Sequence, residues 1–210
     1  MPLVKICGIT RPEDAEDAFS LGADFLGLIF ARSKRQIDVE QAGRIMEAVP
    51  TFQNFVGVFQ NQPLKLVKKT ALGLGLEYVQ LHGEETVELC NLLTASGLRV
   101  IKAVHINGRM KIAETIFVPY NAHAYLFDTR VGPQSGGTGK AFNWNLVDPS
   151  ICVRRKIFLS GGLSPENIND AIDAVHPFAV DVSSGVESEP GIKDFRLVRE
   201  FIRRAKQDTR

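Results

Sequence analysis

Lys5 and Cys7 are the first residues whose types and spacing suggest chemistry. They stand two positions apart in the short apolar run Leu3 to Cys7, and side chains two apart in a strand project from the same face. A lysine ammonium beside a thiol favours the thiolate, so Cys7 is a candidate base or nucleophile. The alternative interpretation is a small cysteine buried in the core, which is a common role for this residue type.

Asp128 is the candidate acid, because it directly follows another apolar run, Tyr125 to Phe127. A carboxyl group there is costly unless it faces a polar opening or has a hydrogen-bonding partner. It could equally cap the loop that follows, as Asp often does. If Cys7 and Asp128 approach one ligand from opposite sides, a proton can be moved across that ligand.

Two glycine-containing turns after late apolar runs predict a site for an anion. Ser160 precedes the first pair of glycines, and paired serines precede a glycine in the second turn. Glycines let backbone N–H groups approach a phosphate, and the serine hydroxyls add donors without positive charge. The residues assigned to this predicted phosphate site are Gly161, Gly162, Ser183, Ser184 and Gly185.

Four further polar residues are candidates for ligand binding. Arg35 follows the second apolar run and could hold a carboxylate through a forked pair of hydrogen bonds, or it could be a solvated loop charge. Gln80 and His82 share a face at the end of the fourth run, where a pocket wall and a structural polar layer are equal alternatives. Asp181 belongs to the eighth run and completes the set.

The elements that must position these residues are eight short apolar runs. The second run is nearly continuous in apolar residues, which is typical of a parallel strand covered on both faces. The predicted strands are Leu3 to Cys7, Phe25 to Phe30, Phe55 to Phe59, Glu77 to Leu81, Arg99 to Val104, Tyr125 to Phe127, Lys156 to Leu159 and Phe178 to Val182.

Helical patterns follow most of these runs, and only the connection after the sixth is weakly helical. Thr10 to Glu13 reads as a capping box and Ser164 as a cap ahead of Pro165. The predicted helical segments contain Ala15 to Phe19, Val39 to Val49, Leu64 to Leu72, Glu84 to Thr94, Arg109 to Ile116, Pro165 to Val175, and Phe195 to Ile202.

Eight strand–helix units in one chain predict a single-domain (β/α)₈ barrel over residues 1–210, since a doubly wound open sheet usually has fewer strands. Barrel enzymes place their active sites at the carboxyl ends of the strands, where all the candidate residues fall. The glycine-rich stretch Thr129 to Phe142 then predicts a loop that closes over this face.

Composition narrows the class of partner. The 210 residues carry 25 Lys plus Arg against 24 Asp plus Glu, a net charge of +1, which gives no overall field to attract nucleic acid or an anionic membrane. The N-terminus lacks a secretory pattern, and the three cysteines lack metal-ligand spacing. We therefore expect a cytoplasmic protein without a nucleic-acid partner or membrane. The sequence gives no secure oligomeric state, and a monomer is the default expectation.

Taken in order, motifs along the whole chain resemble those of the phosphoribosylanthranilate isomerase family. The first is Lys5-Ile-Cys-Gly-Ile-Thr10 followed by Asp14-Ala15. The others are Gly27-Leu-Ile-Phe30, Ser33-Lys-Arg35, Gly57-Val-Phe59, Val79-Gln-Leu-His-Gly83, Phe127-Asp-Thr129, Gly136 to Phe142, Leu159-Ser-Gly-Gly-Leu163 and Asp181 to Glu187.

The resemblance implies an Amadori rearrangement in tryptophan biosynthesis without metal or cofactor, in which N-(5-phosphoribosyl)anthranilate becomes 1-(2-carboxyphenylamino)-1-deoxyribulose 5-phosphate. It further implies that Cys7 is the general base, that Asp128 is the general acid and that Arg35 holds the anthranilate carboxylate.

Two rivals remain. The related imidazole-ribonucleotide isomerase of histidine biosynthesis has an aspartate in place of Cys7 and two glycine-rich sites related by half-barrel repeats. The other rival is a catalytically silent barrel that binds a sugar phosphate.

Overall fold

Eight parallel strands form a closed barrel in the computed structural model, which describes residues 1–106, 120–131, 134–135 and 143–207. Each strand pairs with the next along the chain, and the last pairs with the first. The predicted single-domain (β/α)₈ fold is thereby confirmed. The strands are β1 (Leu3–Cys7), β2 (Phe25–Ile29), β3 (Phe55–Phe59), β4 (Tyr78–Leu81), β5 (Arg99–Ile106), β6 (Ala124–Val131), β7 (Ile157–Leu159) and β8 (Ala179–Val182).

Helices cover the outside of the barrel and match most of the predicted segments. The connection after β6 holds a short 3₁₀ turn, Trp144–Leu146, and a six-residue helix, which explains its weak helical pattern. The helices are α1 (Pro12–Ser20), α2 (Val39–Ala48), α3 (Leu64–Gly73), α4 (Val87–Ala95), α5 (Pro149–Arg154), α6 (Ile168–Val175) and α7 (Phe195–Ala205). Among the described residues, none of these is both long and apolar enough to cross a lipid bilayer.

Two predictions fall wholly or partly outside the described residues. The predicted helix Arg109 to Ile116 is one of them, and positions 132–133 and 136–142 of the predicted closing loop are the other. The predicted start of that loop at Thr129 is wrong. Strand β6 continues to Val131, and the dipeptide Gln134–Ser135 pairs antiparallel with its end.

The predicted capping box at Thr10 is wrong. Helix α1 begins at Pro12 after an extended Arg11, and its N-cap makes no side-chain hydrogen bond. The Thr10 hydroxyl instead donates to the carbonyl of Gly191, 2.5 Å away, so a contact distant in sequence replaces the local one. Helix α6 likewise begins at Ile168, three residues beyond Pro165.

The barrel interior divides into an apolar lower part and a polar upper part. Near the amino ends of the strands, Phe25 makes edge-on contacts with Tyr78 and Phe158 at ring distances of 5.4 and 5.3 Å. One layer higher, Lys5 and Gln80 are 0% and 1% exposed. The apolar layer thus closes the barrel below a polar layer on which the cavity rests.

A buried ion pair on the outer face of β5 holds the loops that follow β3 and β4. Lys102 Nζ lies 2.8 Å from Glu85 Oε2 and 2.6 Å from the Gly83 carbonyl. Glu85 also accepts from the backbone N–H groups of Gly83 and Asn61. Burial alone would raise the pKa of Glu85, but the Lys102 charge and these hydrogen bonds lower it.

Candidate active site

One cavity at the carboxyl ends of the strands brings together nearly all the candidate residues. Its wall includes Cys7, Arg35, Gln80, His82, Asp128, Gly161, Gly162, Asp181, Ser183 and Ser184. Gly185 does not line it; a side chain at this position would collide with the backbone carbonyl of Leu163. Its role in the structure is therefore close packing between the loops that follow β7 and β8.

The thiol of Cys7 is buried beside a lysine whose charge is already shared. Lys5 Nζ lies 2.8 Å from Asp181 Oδ1 and 2.9 Å from Gln80 Oε1. Although burial alone would lower the pKa of Lys5, Asp181 and Cys7 raise it above its ordinary value, so the ammonium persists.

The expected shift of Cys7 towards thiolate is wrong for this structure. Burial raises the pKa of the Cys7 thiol above its ordinary value, and the nearby charge of Asp181 raises it further. The Lys5 charge acts in the opposite direction without offsetting these effects. The sequence placed a cation next to sulfur but did not show that a carboxylate would share that cation.

Asp128 both caps a loop and faces the cavity, so its two alternative interpretations are combined. Its Oδ1 accepts from the backbone N–H of Thr129 at 2.8 Å, and its Oδ2 lies 3.1 Å from His82 Nε2. The other ring nitrogen of His82, Nδ1, lies 2.9 Å from Gln80 Nε2. A continuous hydrogen-bonded chain therefore joins Lys5 to Asp128 through Gln80 and His82.

A second histidine packs against the first from β5. The rings of His82 and His105 meet edge-on at 5.2 Å between centroids, and His105 Nε2 lies 3.0 Å from the His82 carbonyl. Burial, with a smaller contribution from His82, lowers the pKa of His105, so this ring is neutral near pH 7. One ligand atom from each of His82, His105 and Asp128 lies within 4.8 Å of the others, the one such cluster in the described part of the chain.

The loop after β7 places two successive left-handed glycines on the cavity wall. Gly161 and Gly162 have φ values of +88° and +69°, a backbone conformation that residues other than glycine rarely adopt. A Cβ at Gly161 would also come within 2.6 Å of the backbone nitrogen of Thr129. Two buried hydroxyls nearby, Thr129 Oγ1 and Ser183 Oγ, have no hydrogen-bond partner among the described residues.

Arg35 reaches the cavity from the loop after β2 and is held by a buried carboxylate. Its Nε and Nη2 lie 2.7 and 2.6 Å from the two oxygens of Glu187. Lys193 Nζ lies 2.8 Å from the same carboxylate and 2.6 Å from the Cys7 carbonyl. Burial alone would raise the pKa of Glu187, but the bond from Arg35 and the Lys193 charge lower it.

Known proteins match this chain in both sequence and fold. The family model described as N-(5'phosphoribosyl)anthranilate (PRA) isomerase matches residues 4–204. This chain belongs to the N-(5'-phosphoribosyl)anthranilate isomerase family. The match decides against the histidine-pathway rival, and membership makes this chain an isomerase of tryptophan biosynthesis.

Individual family members are similar over their full length. The N-(5'-phosphoribosyl)anthranilate isomerase of Thermotoga neapolitana is 47% identical over 207 residues, which is 98% of this chain and 99% of the relative. The crystal structure of the Thermotoga maritima isomerase is 45% identical, with a TM-score of 0.88, and covers 98% of this chain and 99% of the other. A family structure in complex with reduced 1-(o-carboxyphenylamino)-1-deoxyribulose 5-phosphate has a TM-score of 0.83 and 42% identity, with coverage of 98% and 99%.

Sequence reasoning did not assign a role to Thr129, which lines the cavity, or to Glu187 and Lys193. Glu187 ends the last motif and follows Ser184 by three positions. This closeness in sequence to the predicted phosphate site could have indicated that Glu187 lies near the cavity. Lys193 offered no local signal, because its contact with the end of β1 spans 186 positions. Together Glu187 and Lys193 fix the position of Arg35.

Proposed function

We propose that this chain converts N-(5'-phosphoribosyl)anthranilate into 1-(2-carboxyphenylamino)-1-deoxyribulose 5-phosphate, with Asp128 as general acid and Cys7 as general base. One observation carries the assignment: a thiol from β1 and a carboxyl group from β6 line the same cavity. A substrate between them presents different atoms to each group, as acid and base catalysis of one rearrangement requires.

The first step opens the sugar ring. Protonated Asp128 gives its proton to the furanose ring oxygen, the C1–O bond breaks, and the lone pair of the anilino nitrogen forms the C1=N bond of a protonated Schiff base. The His82 N–H lies 3.1 Å from Asp128 and stabilises the carboxylate that remains, because hydrogen bonds to a charged acceptor are strong.

The second step moves a proton away from C2. The Cys7 thiolate removes it, the C–H electron pair becomes the C1=C2 bond, and the C1=N pair returns to nitrogen to give an enolamine. Loss of the enol proton and protonation at C1 then yield the ketone. Nitrogen serves as the electron sink throughout, so the scheme needs no cofactor. Cys7 must enter this step as the thiolate and leaves it as the thiol. Lys5 stabilises the thiolate form, because its charge lowers the pKa of Cys7 against the larger effect of burial.

The glycine-rich end of the cavity suits the phosphate of the substrate. Gly161 and Gly162 lie on the wall, where a phosphate could approach their backbone, and the hydroxyls of Thr129 and Ser183 are donors that phosphate oxygens would meet. Oriented amides and hydroxyls bind such an anion without a cluster of cations. Arg35, held by Glu187, is the partner for the anthranilate carboxylate.

We also propose a location in the cell and an oligomeric state. A cytoplasmic location is supported by three free cysteines, Cys7, Cys90 and Cys152. A monomer stays a prediction from the sequence. Sedimentation velocity measures it directly, and one similar structure, also from Thermotoga maritima, is of monomers generated from a dimeric isomerase.

Steady-state fluorescence of phosphoribosylanthranilate tests the two roles. We expect Cys7→Ala and Asp128→Asn each to lower kcat by about 10²- to 10⁴-fold, the usual contribution of acid–base catalysis. The reduced product analogue should still bind both variants. Cys152→Ala, which removes a thiol from α5, is the matched control and should keep the kcat of the unsubstituted protein. An unchanged kcat in either cavity variant rules out the corresponding role.

A further inference from the structure

Lys5 fixes which way the Gln80 amide points. An ammonium group has donors only, so the amide atom 2.9 Å from Lys5 Nζ must be the oxygen. Rotating the amide would set its NH₂ group against a buried cation that is 0% exposed. The NH₂ group of Gln80 is therefore committed to the opposite side, where His82 lies.

Gln80 in turn fixes which nitrogen of His82 carries the proton. The Gln80 N–H donates to Nδ1 at 2.9 Å, so Nδ1 offers its lone pair and the neutral ring carries its hydrogen on Nε2. That Nε2–H donates to Asp128 Oδ2 at 3.1 Å. Protonating Nδ1 would place two hydrogens against each other, which disfavours the imidazolium.

We infer that Gln80 is a positioning residue that keeps His82 neutral in its Nε2–H form, so that Asp128 can hold the proton it must donate. This inference rests on the proposed role of Asp128 as the acid. A neutral N–H can donate to Asp128 both before and after proton transfer. An imidazolium at 3.1 Å would instead favour the carboxylate, which has no proton to give. The lysine that lies beside the base thus also sets the state of the acid.

Groups from four strands surround His82. Asp128 faces it from β6, the neutral His105 from β5, and the Lys5–Asp181 pair from β1 and β8 through Gln80. Lys102, on the outer face of β5, pairs with Glu85 and lowers the pKa of His105. The same arrangement makes His82 Nε2 a hydrogen-bond donor to Asp128, and so unsuited to bind a cation.

Nitrogen NMR of ¹⁵N-histidine protein reads the tautomer directly. The chain has four histidines, and a His82→Asn variant assigns the His82 signals. We expect a protonated Nε2 and an unprotonated Nδ1 between pH 7.5 and 8.5, a range that lies above the ordinary histidine pKa of about 6.5. A proton on Nδ1 in this range, in either the neutral or the charged ring, would overturn the inference.

Two substitutions of Gln80 connect the tautomer to catalysis. In Gln80→Glu the carboxylate can only accept, so we expect both His82 nitrogens to be protonated, kcat at pH 7.5 to fall at least about tenfold, and the high-pH loss of kcat to begin at lower pH. In Gln80→Met neither tautomer is selected, so we expect a mixture and a smaller fall. KM should change little in both. Gln53→Glu, the same replacement at an exposed position before β3, is the control and should leave the His82 signals unchanged.

The outcomes separate this inference from the proposed function. If both Gln80 variants keep the kcat and pH profile of the unsubstituted protein while Asp128→Asn is inactive, the inference fails and the acid assignment stands. If Asp128→Asn keeps the kcat of the unsubstituted protein, the acid assignment fails whatever the tautomer. Should Gln80→Glu not fold, the spectrum of the unsubstituted protein and the kinetics of Gln80→Met still decide.

Discussion

Gly27 leaves the space that the sulfur of Cys7 occupies. The two residues pair across β1 and β2, and a Cβ built on Gly27 would lie 2.6 Å from Cys7 Sγ and 3.0 Å from its Cα. Nonbonded heavy atoms usually approach to about 3.5–4.0 Å. In Gly27→Ala the sulfur must therefore move by about 1 Å, because the backbone of β1 is fixed by strands on both sides.

A displacement of this size should be visible in catalysis before it is visible in folding. A shift of about 1 Å in a reacting group can cost about 10²-fold in rate, and we expect that loss in the kcat of Gly27→Ala. Overpacking of this kind costs about 1–3 kcal/mol, which urea unfolding measures separately. Kinetics should be run where both proteins are fully folded.

Gly43→Ala is the matched control for this substitution. Gly43 lies within α2, and an added Cβ there meets nothing within 4 Å. We expect unchanged kcat and a gain of about 0.5–1 kcal/mol in the free energy of unfolding, because alanine favours helix over glycine. The reasoning is refuted if folded Gly27→Ala turns over at the rate of the unsubstituted protein.

Three more predictions follow from charge and burial. The rate of Cys7 alkylation by iodoacetamide should rise with pH through a midpoint above that of an ordinary thiol, because burial raises the pKa of Cys7; a midpoint below about 8.5 contradicts this. Glu85→Gln strands Lys102 and should cost about 3–5 kcal/mol at pH 7 in urea unfolding. Folding lowers the pKa of Glu85 from 4.5. The loss of unfolding free energy in Glu85→Gln should therefore be fully present above pH 4.5 and should shrink as the pH falls below it. An equal loss at pH 3 would argue against a stabilising Glu85–Lys102 ion pair. Arg35→Lys loses the forked contact with Glu187 and should raise KM more than it lowers kcat; an unchanged KM would remove Arg35 from substrate binding.

The strands were readable from the sequence because a parallel barrel buries both faces of each strand. Runs such as Phe25 to Phe30 are therefore almost purely apolar, and their polar ends stand out as candidate site residues. The barrel fold also predicted that the candidate residues share one cavity, because the carboxyl ends of all the strands lie on the same face of a barrel, whatever their separation in sequence.

What the sequence could not give depends on tertiary partners. The cap predicted at Thr10 failed because Gly191, 181 positions away, takes its hydroxyl. The state of Cys7 was mispredicted because Asp181 shares the charge of Lys5. Gln80 could not be separated from a passive polar layer until the partners on both sides of its amide were known.

The most direct measurement is a crystal structure of this protein with reduced 1-(o-carboxyphenylamino)-1-deoxyribulose 5-phosphate bound. We expect Cys7 Sγ at about 3–3.5 Å from C2, the separation of groups ready to react. An Asp128 carboxyl oxygen should lie about 2.6–3.2 Å from the sugar oxygen that closes the furanose ring. A ligand that places either group beyond reach of its atom, or both on the same side of the sugar, would contradict the assigned acid and base.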